Sequence, residues 1–240
     1  MDEKELKTSP KQRFFIILIA ILMLGSIIAG YVAIILNNGG SSSSDSKVDE
    51  AKIAEYQAAY DEVSNKVADA SKKYFDKLVK YKSEVKAYNE SSANEGGVQA
   101  KDLAKGDGRT IAENDSEYLA YYIGWCADET IFDSSFDDSA NPTKLKSFID
   151  LKSNQLIEGW YTGMKGAKIG GVREITIPSE LAYGEGEICG GTNKPIKFIV
   201  MPIAREGEMA DLADELSLAM NKLQYAYYGM DYDESLDAEE

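Results

Sequence analysis

The sequence predicts an α+β protein, in which a mostly antiparallel β segment with one short helix lies between helical flanks. Three observations carry that expectation. Between Val98 and Arg205 short apolar runs alternate with glycine, the signature of strands and turns. Before it, Val48 to about Tyr88 is rich in Ala, Lys, Glu, Asp and Tyr and lacks Pro and Gly, which favours helix. After it, Met209, Leu212, Leu216, Ala219, Leu223 and Ala226 recur at helical spacing.

The elements follow in chain order. Residues 1–13 carry Lys4, Lys7, Lys11 and Arg13, and residues 14–36 form a run of 23 without a charged side chain. At about 1.5 Å per residue such a helix reaches roughly 34 Å, enough for a hydrocarbon core of about 30 Å. The run is too long for the apolar core of a signal peptide, so it reads as an uncleaved transmembrane signal-anchor. Small residues around Ala29 and Ala33 leave a cleaved signal peptide as the alternative. The basic residues before the span put the N-terminus in the cytoplasm and everything after it outside. The expected localisation is therefore a single-pass cell-membrane protein with an extracytoplasmic domain. Residues 37–47, rich in Asn, Gly and Ser, read as a flexible linker.

Residues 48–97 read as a helical stalk. Apolar and aromatic residues fall at 53, 56, 60, 63, 67, 70, 74, 78, 81, 85 and 88, spacings of three and four with one stutter at Ala70, Tyr74 and Leu78. Such a stripe either packs on the same chain or joins two copies as a homodimer through the stalk helix. Its wealth of Tyr and Ala favours the first. In residues 98–205 the clearest strands are Tyr118 to Cys126, Gly171 to Ile177 and Ile196 to Ile203, with Leu156 to Met164 as the one short helix. Val172 to Ile177 alternates as a half-buried strand would. Residues 206–228 form the C-terminal helix, and residues 229–240 an acidic tail without a base.

Composition excludes several functions. With 26 Lys and Arg against 41 Asp and Glu, the net charge is -15, so a nucleic-acid partner is disfavoured by repulsion. The chain has no histidine, which removes Ser-His-Asp and Cys-His catalysis and histidine-bearing zinc sites. Its two cysteines, Cys126 and Cys189, make no metal quartet or CxxC motif, leaving one disulfide or two buried thiols. No phosphate loop, metal cluster or cofactor motif stands out, and no cofactor is expected.

Three blocks occur in order: YYIGWCADETIFDSS, LIEGWYTGMKGAKIGGVREITIPSELAYGEG and PIKFIV. From about Ala104 to Arg205 they resemble the FKBP-type peptidyl-prolyl cis/trans isomerases, the macrolide-binding immunophilins. The resemblance implies an antiparallel sheet wrapped around a short helix, with a ligand pocket between them. Tyr122 matches the tyrosine of the family's Y-x-G strand, and Phe132 and Asp133 its FD pair, lining one wall. Leu156, Ile157 and Trp160 match the VI-x-GW element, with the Trp160 indole as floor. Tyr183 matches the tyrosine of AYG, a hydroxyl donor to a substrate carbonyl, and Phe198 the aromatic of the last strand. Those six, Tyr122, Phe132, Asp133, Trp160, Tyr183 and Phe198, form the expected catalytic set, with Leu156 and Ile157 binding substrate.

The sequence departs from the family in two places. The stretch before Trp160 is about four residues longer than in compact members, so the bulky residue preceding VI-x-GW is Leu145, Phe148 or Ile149, and Phe148 stands for it as a substrate-binding residue. The loop after AYG is shorter, EGEICGGTNKP, and only Ile188 fills its apolar role. Cys189 in that loop either pins it to Cys126 or serves as a small apolar residue. What the resemblance implies is catalysis of X-Pro rotation in proline-containing, extracytoplasmic clients, with a macrolide as a further ligand. The altered loop supports an alternative, a non-catalytic FKBP-like chaperone or binding module at the cell surface. A purely structural anchor would not need the pocket residues kept.

Overall fold

The structure is a computed structural model that describes residues 49–154 and 156–232. The expected span, its flank and the linker, residues 1–47, lie outside the described residues, as does most of the acidic tail. Among the described residues no helix is long and apolar enough to cross a membrane.

Two helices open the described chain, α1 (Glu50–Ala70) and α2 (Lys72–Val79), followed by a 3₁₀ turn (Lys80–Glu84) and a short helix α3 (Glu90–Glu95). Asp49 caps α1, its carboxylate accepting from the amides of Ala51 and Lys52. The single helix expected from Val48 to Tyr88 is therefore corrected in two respects. It breaks at Ser71, whose buried hydroxyl donates to the Val67 carbonyl four residues back at 2.5 Å and also meets the Tyr121 hydroxyl. A hydroxyl that takes the i−4 carbonyl bends a helix, and the stutter in the stripe falls at this point. Helix then ends before Val85, which is extended (φ −65°, ψ 111°).

The sheet comprises β1 (Gln99–Ala104), β2 (Tyr118–Trp125), β3 (Ile131–Ser134), β4 (Ile149–Asp150), β5 (Val172–Ile177) and β6 (Ile196–Ala204). Every pairing is antiparallel, in the order β1-β5-β6-β2-β3, with β4 added to β2. Helix α4 (Glu158–Met164) lies on one face, and the long helix α5 (Glu208–Tyr227) follows β6. Glycine lets α4 approach: a Cβ on Gly159 would stand 2.1 Å from Ile177 Cγ2, and one on Gly163 2.9 Å from Ile175 Cγ2. Arg173 holds the end of this helix, donating to the carbonyls of Gly163 (3.1 Å) and Lys165 (2.9 Å) while Asp102 accepts from its Nε at 2.7 Å. A cation on the last carbonyls of a helix satisfies orphan acceptors and the macrodipole together.

The inner strands β2 and β5 are buried on both faces. All of β2 is buried, and β5 is buried except for half-buried Glu174. The half-buried alternation expected for β5 is thus corrected, because α4 covers one face and flanking elements the other. On the outer face Leu119, Tyr121, Ile123 and Trp125 of β2 join Ile199, Met201 and Ile203 of β6 in one core with Val67, Leu78, Met209, Leu212 and Leu216. All eleven positions of the apolar stripe pack into this core or the smaller one formed by Ile53, Leu223 and Ala226. The stripe thus packs against its own chain, and α1 lies along α5 with Lys66 and Glu215 paired at 3.5 Å.

Leu78 is fully buried in the outer core. Leu78→Ala is expected to lower unfolding free energy by about 2–5 kcal/mol, read from urea unfolding followed by far-UV circular dichroism. A loss below about 1 kcal/mol would show that this helix does not support the domain.

Candidate functional site

On the face opposite the outer core, register brings aromatic residues together. Gly124 of β2 pairs with Phe198 of β6, and Phe198 in turn with Ile175 of β5. Side chains alternate along a strand, so Tyr118, Tyr122 and Gly124 share the face that α4 covers. Four rings converge there. Phe198 packs edge-on against Trp160 (5.2 Å between ring centroids), Phe132 (5.6 Å) and Tyr122 (6.1 Å), and Tyr122 meets Trp160 at 6.1 Å. Such tilted arrangements set the positive edge of one ring on the negative face of the next.

Glycine is required at 124 by this packing. A Cβ there would stand 2.6 Å from Phe198 Cε1 and 2.8 Å from Phe132 Cζ. Trp160 is fixed at its polar end by Nε1 donating to the Tyr118 hydroxyl at 3.2 Å, both residues being fully buried. Neither Tyr118 nor the closeness of Gly124 was among the residues singled out from the sequence, although Gly124 belongs to the Y-x-G element. Ser135, also fully buried, accepts from the Tyr122 amide at 3.0 Å and so orients the strand at the site.

The polar edge of the cluster is Asp133 with two tyrosines. The Tyr122 hydroxyl donates to Asp133 Oδ2, and the Ser134 amide donates to Oδ1 at 2.8 Å. Burial pushes the Asp133 carboxyl up to about 6, against the lowering effect of the Tyr122 bond, the Ser134 amide and nearby Lys146. Burial first, and Asp133 second, hold the Tyr122 phenol well above its usual range and push Tyr183 up to about 12. Tyr183 is half-buried, and its hydroxyl bonds to none of the described residues.

The structure therefore brings together Tyr122, Phe132, Asp133, Trp160 and Phe198, with Tyr183 close enough to feel Asp133. Ile157 is buried at the start of α4, its carbonyl accepting from the Trp160 amide at 3.0 Å. Leu156 is half-buried beside it, its amide donating to the Tyr161 hydroxyl at 3.2 Å. Ile188 is buried in the short loop, where it exchanges hydrogen bonds with Gly191 at 2.9 and 3.1 Å. Phe148 is a correction: it packs edge-on against Tyr121, 6.0 Å away, in the outer core with Leu145. Of the three candidates only Ile149 shares the site's face, since β4 pairs it with Ala120.

Cys126 and Cys189 are joined as a disulfide, with Cα atoms 5.5 Å apart. The bond ties the short loop to the end of β2. Among the described residues no group of acidic or cysteine side chains could hold a metal ion.

The raised Asp133 pKa has a signed consequence. Between pH 3.8 and about 6 the folded chain keeps a proton that the unfolded chain has released, so stability falls as pH rises through that window and stays lowered above it. Asp133→Asn retains an acceptor for Tyr122 and removes the titration. The difference in unfolding free energy, wild type minus variant, is expected to decline from pH 4 to pH 7 in parallel urea titrations, whereas a flat or rising difference contradicts a buried, raised carboxyl.

Comparison with known proteins bears on the same region. The family model for FKBP-type peptidyl-prolyl cis-trans isomerase matches residues 108–201. An FK506-binding protein of Neisseria meningitidis serogroup B is 42% identical over 108 residues, covering 45% of this chain and 93% of that protein. An FK506-binding protein of Streptomyces anulatus is 38% identical over 100 residues, 42% of this chain and 77% of its own. The Arabidopsis thaliana peptidyl-prolyl cis-trans isomerase FKBP15-2 is 43% identical over 65 residues, 27% of this chain and 37% of that one. Sheet, helix and ordered motifs agree with these likenesses, and the chain belongs to the FKBP-type peptidyl-prolyl cis-trans isomerase family.

Proposed function

We propose that the protein is a peptidyl-prolyl cis/trans isomerase acting on proline-containing polypeptides, with the ring cluster around Phe198 as its proline pocket. The observation that carries this reading is the convergence of Tyr122, Phe132, Trp160 and Phe198 at centroid distances of 5.2–6.1 Å beside a buried Asp133.

The chemistry needs no nucleophile, which suits a chain without histidine. An X-Pro amide resists rotation by about 18–20 kcal/mol because resonance gives its C–N bond double-bond character, and uncatalysed exchange takes tens to hundreds of seconds. Twisting breaks the resonance and leaves a less polar carbonyl. A water-poor aromatic surface therefore favours the twisted state over the planar one, and only such a differential lowers the barrier. Trp160 supplies the floor for the proline ring, with Tyr122, Phe132 and Phe198 as walls. Tyr183, whose hydroxyl is unengaged, donates to a carbonyl of the bound peptide; its raised pKa keeps the proton on oxygen at neutral pH. Asp133 orients Tyr122 and contributes a negative field without transferring a proton.

Residues 14–36 read as a single-pass anchor with the N-terminus cytoplasmic, which would hold the domain at a membrane and outside the cytoplasm, where the Cys126–Cys189 disulfide is chemically stable. A non-catalytic chaperone or binding module is the second reading. It is favoured by the short EGEICGGTNKP loop, in which only Ile188 fills the apolar role.

The test is X-Pro exchange in a short peptide, measured by NMR exchange spectroscopy with the full chain in mild detergent, with and without rapamycin. Acceleration that the macrolide blocks is expected. Trp160→Ala should return exchange to the uncatalysed rate, and Tyr183→Phe should lower kcat/KM by about tenfold, the equivalent of about 1.4 kcal/mol. A folded wild type without catalysis that still binds the peptide shifts the conclusion to the binding module. Equal catalysis by wild type and both variants removes these residues from the site.

A further inference from the structure

The turn that carries Tyr183 is held from outside the region that matches the family. Ser179 begins this turn, and its amide donates to Asn94 Oδ1 at 2.8 Å. Gly184 ends it, and its carbonyl accepts from the Asn193 amide at 2.7 Å, while its own amide closes back on the Ser179 carbonyl at 2.8 Å. Asn94 Nδ2 in turn donates to the Asn193 carbonyl at 3.4 Å. One carboxamide thus accepts from Ser179, at the start of the segment on which Tyr183 sits, and donates to Asn193, the residue whose amide holds its end at Gly184. The orientation of that amide group follows from its partners, a backbone N–H and a backbone carbonyl.

The bridge is itself braced. Asn94 lies in α3, which is capped by Asn89 accepting from the Ser92 amide at 2.9 Å and anchored by buried Ala93. Glu90 of the same helix pairs with Lys194 at 2.8 Å, and the Tyr88 hydroxyl donates to the Pro195 carbonyl at 2.9 Å. Tyr88 also receives support from the turn after β2, its amide donating to the Ala127 carbonyl at 3.1 Å. The segment 88–94 therefore clasps the short loop at Asn193, Lys194 and Pro195.

We infer that Asn94 is a positioning residue for the Tyr183 hydroxyl. It acts through the Ser179–Gly184 turn, without touching substrate, and this inference rests on the isomerase reading of the ring cluster. The Asn94 bridge supplies the fixed geometry that a hydrogen bond to a substrate carbonyl requires.

A double-mutant cycle separates positioning from mere support of the fold. Asn94→Ala, Tyr183→Phe and the double variant are made in the full chain in mild detergent. Each is assayed for kcat/KM on an X-Pro peptide, for the Kd of that peptide and for the urea midpoint. Asn94→Ala should lower kcat/KM by about threefold to tenfold, the rate equivalent of one hydrogen bond, and should cause no further loss once Tyr183 is Phe. Asn94→Asp, which keeps the acceptor for Ser179, should retain most of the activity. Equal losses in both backgrounds, or no loss in either, overturn the inference. A wild type that binds the peptide without catalysing exchange overturns the isomerase reading alone, and the same cycle is then read on Kd. A wild type that does neither overturns both.

Discussion

Burial of β2 on both faces is the constraint from which the rest of the structure follows. Tyr118, Tyr122 and Gly124 point to α4 and the ring cluster, while Leu119, Tyr121, Ile123 and Trp125 point into the outer core. A slip of one residue would exchange the two sets and put a tyrosine hydroxyl bonded to Asp133 among aliphatic side chains. Register is thus fixed from both sides at once. The helices before and after the sheet are part of that fixation, since Val67, Leu78, Leu212 and Leu216 cover the outer face and all lie outside residues 108–201. The flanks therefore complete the core of the family domain.

The same economy governs the site. Few polar groups enter the aromatic cluster, and each that does is satisfied by a named partner: the Trp160 indole by Tyr118, Tyr122 by Asp133, and Asp133 by the Ser134 amide. A buried carboxylate is costly, and these bonds only partly offset the cost, which is why the Asp133 carboxyl stays raised. The exception is the Tyr183 hydroxyl, which bonds to none of the described residues. Around it the rim is held by covalent and polar ties: the Cys126–Cys189 bond and the contacts of Tyr88, Glu90 and Asn94.

Most of the central sheet was legible in the sequence. The strands expected at Tyr118, Gly171 and Ile196 lie within one residue of β2, β5 and β6, because β-branched and aromatic runs bounded by glycine carry a strong local signal. The ring set was legible through motif rather than periodicity, which cannot tell a core aromatic from a site one. Phe148 was misassigned because an apolar residue in a lengthened loop gives no sign of the side of the sheet it reaches, and only pairing through β4 decides that. The break at Ser71 was hidden for a related reason: a serine within a helical stripe has ordinary propensity, and the sequence does not show that its hydroxyl is buried against Val67 and Tyr121. Asn94 carried no signal within the expected helical stalk, since its partners at 179 and 193 are distant in sequence.

The central claim is that a proline ring rests on Trp160 between Tyr122 and Phe198. Intermolecular nuclear Overhauser effects between a bound X-Pro peptide and the full chain in mild detergent test it directly. The account predicts contacts from the proline ring protons to the Trp160 indole and the Phe198 ring, lost in Trp160→Ala. Accelerated exchange with proline contacts confined to other residues would contradict it.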